Sequence, residues 1–318
     1  MNLILADGTD PWSTLIHREL SRRDEEVIWI QSAQLLDRIL LNWSVVCDES
    51  VPDGTLVIDE RSIALADLTG IVVRLTFPPP LSLDDLSPED RAYVTKETTA
   101  AWLALLDALP CAVVNRPIPG GRPTLPSCSA ELSRLAQRHG FALPASHCTW
   151  SRSDAVARLL AWNETAYVKL LGSQEPGMFL DDTDTKKKAE LLPEHQAVLM
   201  QTVPDGQRVT VYVAAGEAVG TVVHPGGRPD KSHFLSPKPA QQCVNLAQDL
   251  GLEFVECQLV LTDETVYCLD ISASPHYWRC PPDIQQRIVK SLADYLSQRR
   301  SIPFHDSAVG AHSRSRSC

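Results

Sequence analysis

A chain of 318 residues, 44% hydrophobic and 22% charged, has apolar mass for a large core and length for about two domains. Its formal net charge of −11 argues against nucleic acid as a partner, since neutralising a phosphate backbone takes a surface of clustered Lys and Arg. No apolar run approaches the roughly 20 residues of a membrane span, and the nine Cys show no CxxC and no Cys/His metal spacing, so a reducing, cytoplasmic setting is expected, with the thiols as small apolar fillers.

The opening "MNLILADG" reads as a strand and a turn, without the basic flank of a signal peptide. "PWSTLIHRELSRRD" follows as a helix entered at Pro11, and "EEVIWI" as a second strand. After a polar stretch with the strand-like pieces "GTLVIDE" and "SIALADL" comes "GIVVRLTF", a strong β run. Strand–helix–strand alternation at this spacing predicts a parallel sheet covered by helices. Arg74 then sits at the C-terminal end of such a strand, where open α/β sheets gather ligands, and is a candidate contact to a substrate carboxylate or peptide. A long amphipathic helix over Glu89–Leu109 and the short strand "CAVVN" complete an α/β unit over residues 1–115.

"RPIPGGRPTLPS" carries four Pro and two Gly and reads as a linker. Beyond it, "AELSRLAQRHGF" is a helix stopped at Gly140, "LPASHCTW" is extended, and "SDAVARLLAW" is a helix capped by Ser153 or Asp154. "TAYVKLLGSQEPGMF" is a strand running into a glycine-containing loop, and "DDTDTKKKAELLP" is a solvated charged patch. "AVLMQTV", "QRVTVYVAAGEAVGTVVH" and "EFVECQLVLTDETVYCLDIS" are β-rich and hairpin-like, with turns at Gly216–Glu217 and Asp263–Glu264. "PAQQCVNLAQDLGL" and "PPDIQQRIVKSLADYLSQRR" are helices, and residues 304–318 are small and polar enough to be a disordered tail. One residue stands out. Asp270 ends an otherwise apolar strand, where a carboxylate is costly unless a cation, a metal or several donors meet it.

The order of parts over roughly residues 90–300 resembles the ATP-grasp superfamily, within it the glutathione-synthetase-like and RimK-like ligases, and most narrowly the maturases of microviridin-type ribosomal peptides. The segments that carry this are "VVNRP", "AYVKLLGS", "LLPEHQAVLMQTVPDGQRVTVYV" and "GLEFVECQLVLTDETVYCLDISASP". The resemblance implies an α/β (α+β) chain. A parallel-sheet pre-ATP-grasp domain would occupy residues 1–115, a small phosphate-binding subdomain 116–200, and a C-terminal subdomain with the hinge and metal-binding hairpin 201–303. It implies ATP and Mg²⁺ as cofactors and a peptide or amino-acid substrate. The activity implied is an ATP-dependent carboxylate–amine or carboxylate–hydroxyl ligase working through an acylphosphate, in peptide natural-product maturation. A module that binds nucleotide or peptide without ligase activity, and an ATP-grasp kinase, stay open as alternatives, as does a homo-oligomer.

Residue by residue, the resemblance gives Lys169 and the small-residue loop at Gly172 and Ser173 to the ATP phosphates; a Lys snorkelling from a sheet edge and a plain hairpin turn are the ordinary readings. Gln201 and Val203 would flank the adenine edge. Arg208 shares a strand face with Thr210 and Tyr212 and, as a second catalytic cation, would hold the γ-phosphate or a substrate carboxylate; otherwise it is a solvent-facing Arg. Asp270, Gln258 and Ser272 occupy the metal-ligand positions. His276 follows them as a substrate-side residue, with a surface His packed by Tyr277 and Trp278 as the plain reading, and Lys231 and His233 fall near the same expected mouth. The departures are as informative: the first ATP lysine is absent, its position falling near Ser129, and two of the three metal positions are neutral. If Asp270 is compensated only by metal and nucleotide, the nucleotide-free protein should hold a poorly paired carboxylate, whose replacement by Asn leaves the fold intact or slightly more stable. If it is instead a structural group paired with a buried Arg or backbone donors, the same substitution should destabilise the fold by about 3–5 kcal/mol.

Overall fold

The computed structural model describes residues 1–37, 39–44, 52–75, 83–117, 130–162, 164–171, 177–180, 192–224, 231–233, 235–276 and 279–298. The linker from 118 onward, the charged patch over 181–191 and the tail lie outside the described residues. Among the described residues no helix is long and apolar enough to cross a membrane.

The chain begins with β1 (Asn2–Leu5), α1 (Pro11–Arg22) and β2 (Val27–Ile30). Asp10 caps α1 by accepting from the Ser13 amide at 2.8 Å, and Trp12, Ile16 and Leu20, four apart, turn one stripe of the helix inward. After the single turn α2 (Gln34–Asp37), strands β3 (Ile39–Ser44), β4 (Asp53–Ile58) and β5 (Arg61–Ala64) form an antiparallel meander. The turn between β4 and β5 places Asp59 and Glu60 at positive φ, the backbone of a tight hairpin. The sequence reading found β4 and β5 as strand-like pieces but missed β3, whose alternation is blurred by Leu40 lying exposed. Then come β6 (Gly70–Val73), α3 (Pro88–Ala108) and β7 (Ala112–Val114). The expected parallel sheet is present, in the order β2-β1-β6-β7. Helix α3 has nearly the expected span but is amphipathic only near its end, where Trp102, Leu105 and Leu106 are buried.

A second, antiparallel sheet has the order β10-β9-β11-β8, built from β8 (Ser146–Thr149), β9 (Ala166–Leu170), β10 (Met178–Leu180) and β11 (Val198–Thr202). Two helices belong to this part of the chain, α4 (Ala130–Arg138) and α5 (Arg152–Trp162). The cap of α5 is Ser151 rather than Ser153 or Asp154: its hydroxyl accepts from the Asp154 amide at 3.2 Å. Ala155 and Leu159 of α5 pack on Val168, Val198 and Met200. The expected subdomain boundary at 200/201 falls inside β11. Helix α4, which precedes β8 in the chain, buries Leu132 and Ala136 in the core of the next sheet.

That third sheet, order β14-β13-β12-β15-β16, comprises β12 (Gln207–Ala214), β13 (Glu217–Val223), β14 (Lys231–His233), β15 (Phe254–Leu261) and β16 (Val266–Ser272). The β12–β13 turn is one residue earlier than expected, at Ala215–Gly216, both with positive φ. Val209, Val211 and Val213 face α6 (Pro237–Asp249). On the other face, Tyr212 and Ala214 share a core with α7 (Pro282–Ser297), with α1 and with Val72, Ala112 and Val114 of the parallel sheet. Helix α7 therefore lies in one core with both sheets. That cover does not extend to the Arg208 and Thr210 end of the face, and the functional candidates gather there.

Asn115 locks this arrangement. It takes a left-handed φ of 53°, which Asn tolerates better than most residues. Its Nδ2 donates to the carbonyls of Phe254 and Ala273, both at 2.7 Å, and its Oδ1 accepts from the Glu253 and Phe254 amides. The neighbouring Arg116 donates to the carbonyls of Leu106, Asp107 and Cys111 at the end of α3. The segment "VVNRP" is thus a joint between the parallel sheet and both strands of the terminal hairpin.

Candidate active site

In β9, Ala166 and Val168 face the core under α5, which turns Tyr167 and Lys169 the other way, toward β15 and β16. Asp270 answers from β16. Lys169 Nζ lies 2.5 Å from Asp270 Oδ2, with both side chains buried. Tyr167 donates its hydroxyl to the same oxygen at 3.0 Å, and Asp270 Oδ1 accepts from the Ile271 amide at 2.9 Å. The expectation of a poorly paired carboxylate is therefore wrong in this structure. The cation that stabilises Asp270 comes from 101 residues away, on the facing sheet. Burial pushes the Tyr167 hydroxyl well above the ordinary tyrosine range, and the Asp270 charge adds to this, so it stays a donor.

Gln258 is the cross-strand partner of Asp270, and Glu256 that of Ser272. Gln258 Oε1 accepts from Thr210 Oγ1 at 3.0 Å, and its Nε2 donates to Glu256 Oε1 at 2.6 Å. Since the Thr210 hydroxyl has one proton and gives it to Gln258, the 2.6 Å contact between Thr210 and His224 Nε2 requires His224 to be the donor. Burial, and then the nearby Arg208 charge, holds His224 below its ordinary pKa, which favours the neutral ring, and the Thr210 contact then selects the Nε2–H tautomer. Glu256 Oε2 accepts from the His276 amide at 2.8 Å. Burial raises the Glu256 carboxyl above the ordinary glutamate range, and the Asp270 charge raises it further, against these hydrogen bonds. Ser272 uses its hydroxyl locally, accepting from the Ser274 amide at 3.2 Å.

The remaining candidates are placed as follows. Gln201 is buried on β11 beside Tyr167 of β9; its Nε2 reaches Ser146 Oγ at 3.4 Å, and its buried Oε1 meets no donor among the described residues. Val203 packs with Tyr167, Val260 and Leu269 between the two sheets. Arg208 is half-buried with its guanidinium 4.6 Å from the centre of the Phe179 ring, a cation–π contact that links β12 to β10. Gly172 and Ser173 lie outside the described residues. His276 is buried, not on the surface, and Tyr277 and Trp278 lie outside the described residues. Lys231 and His233 are on β14, at the opposite edge of the sheet from β16, so the sheet does not bring them to Asp270. Arg74 is apart from the Lys169–Asp270 pair: it meets Asp10 at 3.4 Å and lies 5.6 Å from the centre of the Trp12 ring, which stacks on Phe254. The sequence reading missed Tyr167, Glu256 and the Thr210–His224 link. A signal existed for the first two, as a Tyr two residues before Lys169 on a buried strand and an acid inside "FVECQLVL".

A buried Lys on one antiparallel sheet thus faces a carboxylate on the terminal hairpin of another, backed by a parallel α/β unit. Solved structures share this fold. The chain matches a RiPP-associated ATP-grasp ligase of Chryseobacterium gregarium, solved with ADP and a leader and core peptide, at TM-score 0.67 and 13% identity over 93% of this chain and 96% of that one. It matches the macrocyclase MdnC of Microcystis aeruginosa MRC, bound with precursor peptide MdnA, at TM-score 0.65 and 11% identity over 92% and 100% of the two chains. For the macrocyclase MdnB of the same organism the values are 0.63 and 16%, over 93% and 99%. No family model and no curated protein sequence matches the chain. The chain has the ATP-grasp fold over nearly its whole length.

Proposed function

We propose that the protein is an ATP-dependent ligase that joins a carboxylate to an amine or hydroxyl on a peptide, through an acylphosphate. One observation carries the reading: Lys169 of β9 and Asp270 of β16 meet at 2.5 Å on facing sheets of an ATP-grasp fold. Apart from that pair, the site has an orphan that suits the nucleotide. Gln201 Oε1 is a buried acceptor with no donor among the described residues, on the strand expected to meet the adenine edge, and an exocyclic amino group would satisfy it. The oxygen set of Asp270, Gln258 and Ser272 suits a hard cation, and Mg²⁺ bound there would neutralise charge on the nucleotide phosphates.

In this reading Lys169 exchanges Asp270 for a phosphate oxygen as nucleotide enters. Arg208 stands on β12, with β15 between it and the strand of Asp270, and reaches Phe179 of the facing sheet; it would be the second cation for the transferred group or the substrate carboxylate. Catalysis is then positioning and charge neutralisation: the substrate carboxylate attacks the γ-phosphorus, ADP leaves, and the amine or hydroxyl displaces phosphate from the acyl carbon. A peptide substrate is the natural choice because the matched ligases were solved with precursor peptides, and Arg74 is the residue proposed to meet it. Residues 1–115, 116–200 and 201–303 are the proposed domains, with the last boundary moved beyond the end of β11 at Thr202 and the cleft between the β8–β11 and β12–β16 sheets.

A second reading has its own observation. Gln258 already bonds Thr210 and Glu256, and Lys169 is already paired with Asp270, as in a module that no longer turns over. Incubation with MgATP, an acidic peptide and hydroxylamine separates the readings. The ligase yields ADP and a peptide hydroxamate, and a kinase yields a stable phosphopeptide. Neither product, with nucleotide still bound, would establish the non-catalytic module.

A further inference from the structure

Tyr167 is fully buried, yet its hydroxyl sits among the charged groups of the site. It donates to Asp270 Oδ2 at 3.0 Å and accepts from the Gly177 amide at 2.9 Å, so a single oxygen joins the hairpin carboxylate to the start of the β10 arm. Both sides of this link are tightly specified. A Cβ at Gly177 would lie 2.3 Å from Tyr167 Cζ and 2.6 Å from its Oη, so only glycine lets the backbone approach. The ring packs edge-on against Phe179 with centroids 5.2 Å apart, and Phe179 in turn carries the Arg208 guanidinium. A phenylalanine would fill the same space. The hydroxyl is the part that packing does not require.

We infer that Tyr167 is a positioning residue for the cation-binding carboxylate: its hydroxyl holds Asp270 in one orientation when Lys169 moves to the nucleotide, and ties that orientation to the arm that begins at Gly177. The inference rests on the reading of Asp270 as a metal ligand. Asp270 Oδ2 now takes two donors, Lys169 and Tyr167. When Lys169 leaves, the lone pair it used is freed for a cation while Tyr167 keeps the other, and the Ile271 amide continues to hold Oδ1. Groups that orient a metal ligand through its far side commonly change metal affinity about 10–100-fold when removed.

The test is nucleotide binding by the full chain, followed by calorimetry in EDTA and then across a Mg²⁺ titration, for wild type, Tyr167→Phe and Gly177→Ala. In Tyr167→Phe, ATP affinity in EDTA should stay within about twofold of wild type, while the Mg²⁺ concentration at half-saturation rises by about tenfold or more. Gly177→Ala, which displaces the hydroxyl without deleting it, should move the Mg²⁺ requirement in the same direction. A purely structural hydroxyl would lower the melting temperature and leave the Mg²⁺ requirement alone. Equal Mg²⁺ half-saturation in wild type and Tyr167→Phe would overturn the inference, and so would a shift in Tyr167→Phe matched by an equal loss of affinity in EDTA. A wild type that binds nucleotide with no dependence on Mg²⁺ would overturn the metal-site reading itself, and this inference with it.

Discussion

Replacing Asp270 by Asn leaves the buried ammonium of Lys169 without its counter-charge, and this decides the sign of the effect on the nucleotide-free protein. Breaking a buried pair from one side costs about 3–5 kcal/mol, because an uncompensated charge remains in a site sealed from water. Asp270→Asn should therefore destabilise the apo protein by that order, the outcome expected of a paired carboxylate rather than of one compensated only by metal and nucleotide. Urea denaturation of Asp270→Asn, Lys169→Met and the double variant checks this. The double variant should recover most of the loss, since no charge is left stranded, and an Asp270→Asn protein as stable as wild type would mean that the pair does not form in solution. Glu256 makes a separate prediction. Its carboxyl is raised by burial, so the folded protein holds that proton more tightly than the unfolded chain. The resulting stabilisation is complete below the ordinary glutamate value of about 4.3 and is lost as pH rises through the raised one. Wild type should thus weaken as pH rises above the ordinary glutamate range, and Glu256→Gln should flatten that fall; parallel slopes for the two proteins would show that Glu256 is not the group responsible.

Helix α7 is seated through a glycine. A Cβ built on Gly220 of β13 would meet three Ile284 side-chain carbons at 2.5–3.0 Å, so the close approach of helix and sheet depends on its absence. Gly220→Ala should cost roughly 1–3 kcal/mol by overpacking. Ile284→Ala alone should cost roughly 2–5 kcal/mol by leaving a cavity, and combining the two should cost less than their sum, because the added methyl enters the space vacated. Thermal melts of the three variants read this directly, and strict additivity would contradict the contact. The same elements show what was legible beforehand. Helices with four-residue apolar spacing such as α1, and hairpins with alternating valines such as β12–β13, announce themselves because periodicity is local. Strand β3 did not, because Leu40 points outward and breaks the alternation. The site followed the same division. The strand of Lys169 and the acid ending an apolar strand at Asp270 could be read locally, but their mutual contact spans 101 residues and needs two sheets to face each other. The joint at Asn115 depends on hydrogen bonds to main-chain groups near residues 253, 254 and 273, for which side-chain sequence carries no signal.

Among the buried clusters of the described residues, two of different reach decide how the molecule opens. The parallel sheet, α1, α7 and the inner face of the β12–β16 sheet share one cluster, tied again at Asn115, so they should open together. The sheet of β8–β11 has its own core under α5 and meets the rest through the smaller group of Tyr167, Val203, Val260 and Leu269, together with the Lys169–Asp270 pair. Fewer buried contacts cross that boundary, and local opening follows the weakest boundary. In native-state hydrogen exchange, amides of β9 and β11 should therefore exchange at lower opening free energy than those of β12 and β15. A ligand that binds only the closed arrangement stabilises it by mass action, about 2.7 kcal/mol at a hundred times its Kd. MgATP should then slow exchange in β9 and β11 more than in β1 and β6, and Asp270→Asn should lose most of that selective protection even at nucleotide concentrations that saturate it. Uniform protection across all the sheets on adding MgATP would place the binding energy in the shared core and remove the cleft between the two antiparallel sheets as the nucleotide site.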